Sequence, residues 1–139
     1  MTMIFVTRRE RFNAAHRMYR EEWDEQHNER IFGKCSNPYW HGHNYELFVT
    51  IKGEPDPETG MLINLKEVSR VIRTEVIEAL DHKNINLEVP FMQNRIASTE
   101  NLAIAIWKVL EAPFKELKVK LHAVRISESE NNTVEYFGA

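Results

Sequence analysis

Residues 3 to 12 alternate loosely and carry β-forming Ile4, Phe5, Val6 and Phe12, which predicts a strand running up to His16. The next stretch, 17 to 34, is polar and charged and reads as a long surface excursion that can hold a helical turn. Gly33, Asn37 and Pro38 keep the chain irregular beyond it. Alternation returns over 43 to 52. Tyr45, Leu47, Val49 and Ile51 fall on one face and Glu46, Thr50 and Lys52 on the other, the pattern of a half-buried strand. The cluster from Gly53 to Gly60 is a turn. Asn64 with Glu67 three residues on predicts a capping box, and Leu65, Val68, Val71, Ile72, Val76 and Ala79 recur at helical spacing to about Leu80. A second helix starts near Ser98 or Thr99, carries Leu102, Ala103, Ile106, Val109 and Leu110 on one side, and is expected to end at Pro113. Strands near 118 to 126 and 133 to 137, joined by a turn containing Asn131 and Asn132, close the chain.

The order β-β-α-α-β-β predicts an antiparallel α+β fold, with residues 1–139 as one domain. Four strands in one sheet leave two unpaired edges, which a homo-oligomer closing the sheets into a barrel would remove.

Composition narrows the class. Apolar residues make up 42% and charged residues 28% of the 139, ordinary for a soluble globular protein. The formal charge of -3, with basic residues scattered among acids, argues against a nucleic-acid partner. No apolar run is long enough for a membrane span, and the first residues do not read as a signal peptide. One cysteine, Cys35, excludes an internal disulfide framework, and the expected location is the cytoplasm.

The candidate chemistry begins with the histidines. His41 and His43 flank Gly42 in an extended segment, so period-two alternation puts both imidazoles on one side. His16 ends the first strand. Three imidazoles and an open fourth position match a catalytic Zn²⁺ site, and a single cysteine rules out a thiolate-rich structural site. His-Gly-His alone is a weak signal, and spacing by itself favours three unrelated surface or core histidines over a metal site. His27 reads as solvated and His122 as structural. His82 differs, since it follows Asp81 just past a helix end. Cys35, Asp81 and His82 form a second candidate set, a thiol base with an Asp–His proton relay. The alternative is a helix-terminal turn and a small buried thiol. Glu128 can accept two N–H bonds from a flat amino-amidine edge, as a carboxylate does from guanidinium, although Glu130 is placed to do the same.

Seven stretches, taken in order, resemble the 6-pyruvoyl-tetrahydropterin synthase and 6-carboxy-tetrahydropterin synthase family. They are Phe12-Asn-Ala-Ala-His16, Phe32-Gly-Lys-Cys-Ser-Asn-Pro38, His41-Gly-His-Asn-Tyr45, Gly60-Met-Leu-Ile-Asn-Leu65, Leu80-Asp-His-Lys-Asn84, Ser98-Thr-Glu-Asn101 and Glu128-Ser-Glu-Asn-Asn132. The resemblance implies the tunnelling fold (T-fold), in which three subunits close a barrel and two barrels stack as a hexamer, a dimer of trimers. It implies His16, His41 and His43 as Zn²⁺ ligands and Cys35 as the base, with Asp81 and His82 supplied by a neighbouring subunit. Glu128 would anchor a pterin, with Thr99 framing its pocket. The implied substrate is 7,8-dihydroneopterin triphosphate.

Within the family, five residues between Cys35 and His41 resemble the pyruvoyl-forming enzymes rather than the carboxy-forming enzymes of the queuosine route, which release acetaldehyde. Tyr39 and Trp40 depart from the usual Asn-Gly of that pattern. A third branch, leading towards folate, typically has Glu in place of the cysteine, and Cys35 argues against it. A non-catalytic pterin- or zinc-binding module on the same fold is the alternative of another class.

Overall fold

The computed structural model describes residues 2–139. Strand β1 (Ile4–His16) pairs antiparallel with β2 (His41–Gly53) along its whole length, from Ile4 opposite Gly53 to His16 opposite His41. β2 pairs with β4 (Lys120–Ser129), and β4 with β5 (Asn132–Tyr136), both antiparallel. A two-residue strand, β3 (Lys83–Asn84), adds to the other edge of β1 in parallel, giving the order β3-β1-β2-β4-β5. The expected α+β architecture is present. The fifth strand escapes the sequence because two residues carry no alternation.

Alternation sorts each strand between two faces. Leu47, Val49 and Ile51 of β2, with Val124 and Ile126 of β4, are fully buried against the helices. Burying each such side chain contributes about 1.5–3 kcal/mol. The other face is polar. Thr7 and Thr50 share a hydroxyl hydrogen bond of 2.7 Å, and Arg125 lies over the Phe48 ring.

The first long helix, α2, spans 65–80 and is continuous, with a π-helical turn at Arg73–Ile77. It buries Val68, Val71, Ile72, Val76 and Leu80. Asn64 caps it by accepting from Lys66 N, but Glu67 turns to Arg70 at 2.9 Å, so the expected reciprocal capping box is only half formed. The short α3 (Ile85–Glu88) follows β3. The last helix, α4 (Thr99–Glu116), is capped by Ser98 and buries Leu102, Ile106, Leu110 and Phe114. Pro113 does not end it. The helix runs on to Glu116, and the proline carbonyl accepts from Leu117 N.

The polar excursion holds a real helix, α1 (Glu25–Phe32), capped by Asp24. Buried Asn28 ties it down: its amide oxygen accepts from Arg20 N, and its nitrogen donates to the carbonyls of Arg20, Trp23 and Asp24. Hydrophobic periodicity gives no sign of such a polar anchor. Among the described residues no helix is long and apolar enough to cross a membrane.

Candidate metal centre and flanking site

The paired ends of β1 and β2 bring three histidines together. His16 lies opposite His41 in register, and His43 follows two residues on along the same face. One ring nitrogen from each lies within 4.8 Å of the others. Gly42 eases the close approach of β1, because a Cβ there would stand a tight 3.3 Å from the Ala14 carbonyl oxygen.

His16 is 1% exposed, and its Nδ1 is 2.6 Å from the Ala97 carbonyl oxygen. Only a protonated Nδ1 can donate to that carbonyl, so Nε2 is left with its lone pair. His16 Nε2, His41 Nδ1 and His43 Nε2 are all buried without any protein partner. Burial holds the His16 imidazole below its ordinary pKa, and the neighbouring His41 and His43 push the same way against the Ala97 bond and Glu128. His41 is lowered by burial and by His43. Neutral imidazoles are the ligand form. Three buried nitrogens without hydrogen-bond partners on one spot fit a divalent cation with an open position; as a purely structural cluster they would leave three polar atoms unsatisfied.

Glu128 and Thr99 border this cluster. Thr99 Oγ1 donates to Glu128 Oε2 at 2.5 Å, and Glu128 Oε1 lies 3.8 Å from His43 Nε2. Thr99 is buried at the first turn of α4, and Glu128 comes from the end of β4. Glu130 sits exposed in the turn between β4 and β5, so the two acids are not equivalent.

Cys35 occupies a 3-10 turn, Gly33–Ser36, between α1 and β2. Its carbonyl accepts from Met18 N at 2.8 Å, which ties the turn to the chain leaving His16. The thiol is partly buried. Trp40, next to His41, has a φ of 70°. This left-handed conformation costs a residue with a Cβ about 1–2 kcal/mol, so the backbone keeps a shape suited to glycine while carrying a large ring.

Asp81 and His82 stand apart from the cluster, at the edge of β1. Asp81 Oδ1 accepts from Asn13 N, and His82 N donates to the Asn13 carbonyl. The pair is joined by His82 Nδ1 and Asp81 Oδ2 at 3.0 Å. The Asn13 bond, and His82 beside it, hold the Asp81 carboxyl below its ordinary pKa. His82 is exposed and has a φ of 63°, the position past a helix end that glycine usually fills.

Tyr45, placed by its alternation on the buried face, also carries an unpartnered polar group. Tyr45 is 1% exposed, its ring stacks on Phe12, and its hydroxyl has no partner. Burial, with Glu128 nearby, pushes its pKa far up. Its place two residues after His43 is the signal that puts it on the same face. His27 stacks on Trp23 rather than standing free, and His122 packs between Phe5 and Phe137.

Residues 5–139 match the family described as 6-pyruvoyl tetrahydropterin synthase. The chain belongs to that family. It is 42% identical over 134 residues to the human 6-pyruvoyl tetrahydrobiopterin synthase, covering 96% of this chain and 90% of that protein. The solved structure of 6-pyruvoyl tetrahydropterin synthase from Caenorhabditis elegans superposes with a TM-score of 0.91 at 32% identity, covering 100% of this chain and 98% of that one. A dihydroneopterin monophosphate aldolase from Pyrococcus furiosus is 32% identical over 121 residues, 87% of this chain and 84% of that protein.

Proposed function

We propose that this chain is a zinc-dependent 6-pyruvoyl-tetrahydropterin synthase, converting 7,8-dihydroneopterin triphosphate to 6-pyruvoyl-tetrahydropterin and triphosphate. The observation that carries the reading is the cluster of three unpartnered buried imidazole nitrogens with Glu128 and Thr99 at its border. Membership of the 6-pyruvoyl tetrahydropterin synthase family and similarity to the human synthase support it.

His16, His41 and His43 would hold Zn²⁺, with the His16 ring fixed by the Ala97 carbonyl. When bound, the ion supplies Lewis acidity for negative charge developing on the substrate's side chain. The remaining work falls to side chains. Glu128, steadied by Thr99, accepts two N–H bonds from the pterin's amino-amidine edge and sets the ring's orientation. Cys35 takes a proton from a side-chain carbon. The Asp81–His82 pair moves protons to and from oxygen, the carboxylate fixing the imidazole's tautomer. Triphosphate leaves once the adjacent carbon carries negative charge. Asp81 and His82 lie on a sheet edge away from the metal cluster, which supports a site completed by a second subunit. We read the assembly as a homohexamer, a dimer of trimers.

The test is incubation of the zinc-loaded protein with 7,8-dihydroneopterin triphosphate, following triphosphate, the reduced pterin and acetaldehyde together. Stoichiometric triphosphate with 6-pyruvoyl-tetrahydropterin supports the proposal. Acetaldehyde in comparable amount would establish the 6-carboxy activity instead. A side-chain cleavage releasing the pterin's hydroxymethyl form would place the chain with the aldolase-type relatives. Binding of pterin and zinc without turnover would leave only a binding module.

A further inference from the structure

A thiol that takes a proton from carbon must be held to a fraction of an ångström, yet Cys35 sits on a short turn whose Gly33 and Lys34 are exposed. Beyond the local bonds of Gly33 N to the Glu29 carbonyl and of Asn37 N to the Lys34 carbonyl, two restraints reach this turn from a distant segment, from Arg17 and Met18 just after His16. Met18 N holds the Cys35 carbonyl. The Arg17 guanidinium holds the next carbonyl, that of Ser36, with Nε at 3.1 Å and Nη2 at 2.8 Å.

Arg17 is itself fixed from three sides. Its backbone N donates to Asn86 Oδ1 at 3.0 Å, and Asn86 Nδ2 donates back to its carbonyl at 2.9 Å. Its Cζ lies 3.9 Å from the centroid of the Tyr19 ring and 5.9 Å from that of Trp40. Among the described residues no carboxylate comes within salt-bridge distance of it, so the carbonyl and the two rings are what orient the charge. Trp40 delivers its ring from the left-handed backbone position described above. Glycine there would relieve the backbone and remove the ring.

We propose that Arg17 is a positioning residue for Cys35 and that Trp40, with Tyr19, completes the clamp that aims its guanidinium at the Ser36 carbonyl. This rests on the reading in which Cys35 takes the substrate's carbon-bound proton. A fork of two donors on one carbonyl, held by rings, transmits the rigidity of the β1 end to the turn carrying the thiol.

The test compares wild type, Arg17→Met, Arg17→Lys, Trp40→Gly and Cys35→Ala as full-length zinc-loaded proteins, with metal content and oligomeric state measured for each. Arg17→Met is expected to lower kcat about 10²-fold, the cost of a misplaced reacting group, with KM within about twofold and metal content unchanged. Arg17→Lys, which keeps charge and one donor, recovers part of the loss. Trp40→Gly lowers kcat without lowering the melting temperature. Iodoacetamide alkylation of Cys35, the only cysteine, provides a readout separate from turnover, and its rate rises in Arg17→Met as the turn loosens.

Wild-type kcat and alkylation rate in Arg17→Met, with Cys35→Ala inactive, would overturn the positioning role alone. A raised KM with unchanged kcat would overturn it in favour of direct contact with the substrate's phosphates. Full turnover by Cys35→Ala would remove the base assignment, and the clamp's purpose with it. If Arg17→Met does not fold, Arg17→Lys and Trp40→Gly decide the question by the same kcat and alkylation criteria.

Discussion

The metal cluster and the Asp81–His82 pair both attach to β1 yet are built on opposite principles. The cluster is complete within one chain. Its three nitrogens are buried and fixed by strand register and by the Ala97 carbonyl, and burial lowers the pKa of His16 and His41. In the pair His82 is exposed and Asp81 half-buried, both sit at a sheet edge, and their side chains hydrogen-bond only to the Asn13 backbone and to each other. One region gathers three donors that could hold a cation within a single chain. The other, under the proposed function, is a half-site that a second subunit completes at the sheet edge.

The largest test of that contrast is His43→Ala. Loss of one of three donors lowers metal affinity by more than the roughly 10–100-fold that losing an outer-shell partner costs, and turnover falls to background. Metal stoichiometry after dialysis against a chelator, together with the assay, measures both. Next comes Asp81→Asn, which is expected to lower turnover by about 10²–10⁴-fold while metal stoichiometry stays at the wild-type level. Mixing the two inactive chains sharpens the comparison. If sites are shared between subunits, randomly assembled mixed oligomers regain about a quarter of wild-type activity, whereas sites confined to one chain regain none.

A smaller effect is expected from Thr99→Ala. It removes the hydroxyl that steadies Glu128, so KM rises about tenfold, as for loss of a charge-assisted hydrogen bond, with less change in kcat. Steady-state kinetics separates the two. The smallest effect concerns acid stability. A carboxyl whose folded pKa is depressed adds stability above its unfolded pKa, near 4, and loses it as pH falls through the lower folded value. Asp81 is such a group, but its side chain is 37% exposed. Its contribution is therefore expected to stay below about 1 kcal/mol, and the melting-temperature gap between wild type and Asp81→Asn should close below about pH 4.

Legibility in the sequence followed the same division. Alternation in 43–52 located β2 and put His41, His43 and Tyr45 on one face, because a strand's side-chain period is a local property. The helical spacing from Leu65 located α2 for the same reason. Features that depend on a distant partner were not legible. Asn28 anchors α1 through four bonds to 20–24, and nothing in its type predicts that. Pro113 was expected to end α4, but packing of Phe114 in the core carries the helix past it. Arg17 looked like a scattered surface cation until Ser36, Tyr19 and Trp40 closed around it.

By itself, the sequence determined the strand and helix periods, the single thiol, the histidine spacing and the order of motifs that marks the family, all of which are written locally along the chain. Only the tertiary structure decided that His16 meets His41 across a strand pair, that Glu128 rather than Glu130 turns towards Thr99, and that Asp81 and His82 stay at an edge. Those outcomes come from register and packing between segments up to 81 residues apart, as in the His16–Ala97 bond. No local pattern encodes a contact whose other half lies elsewhere in the chain.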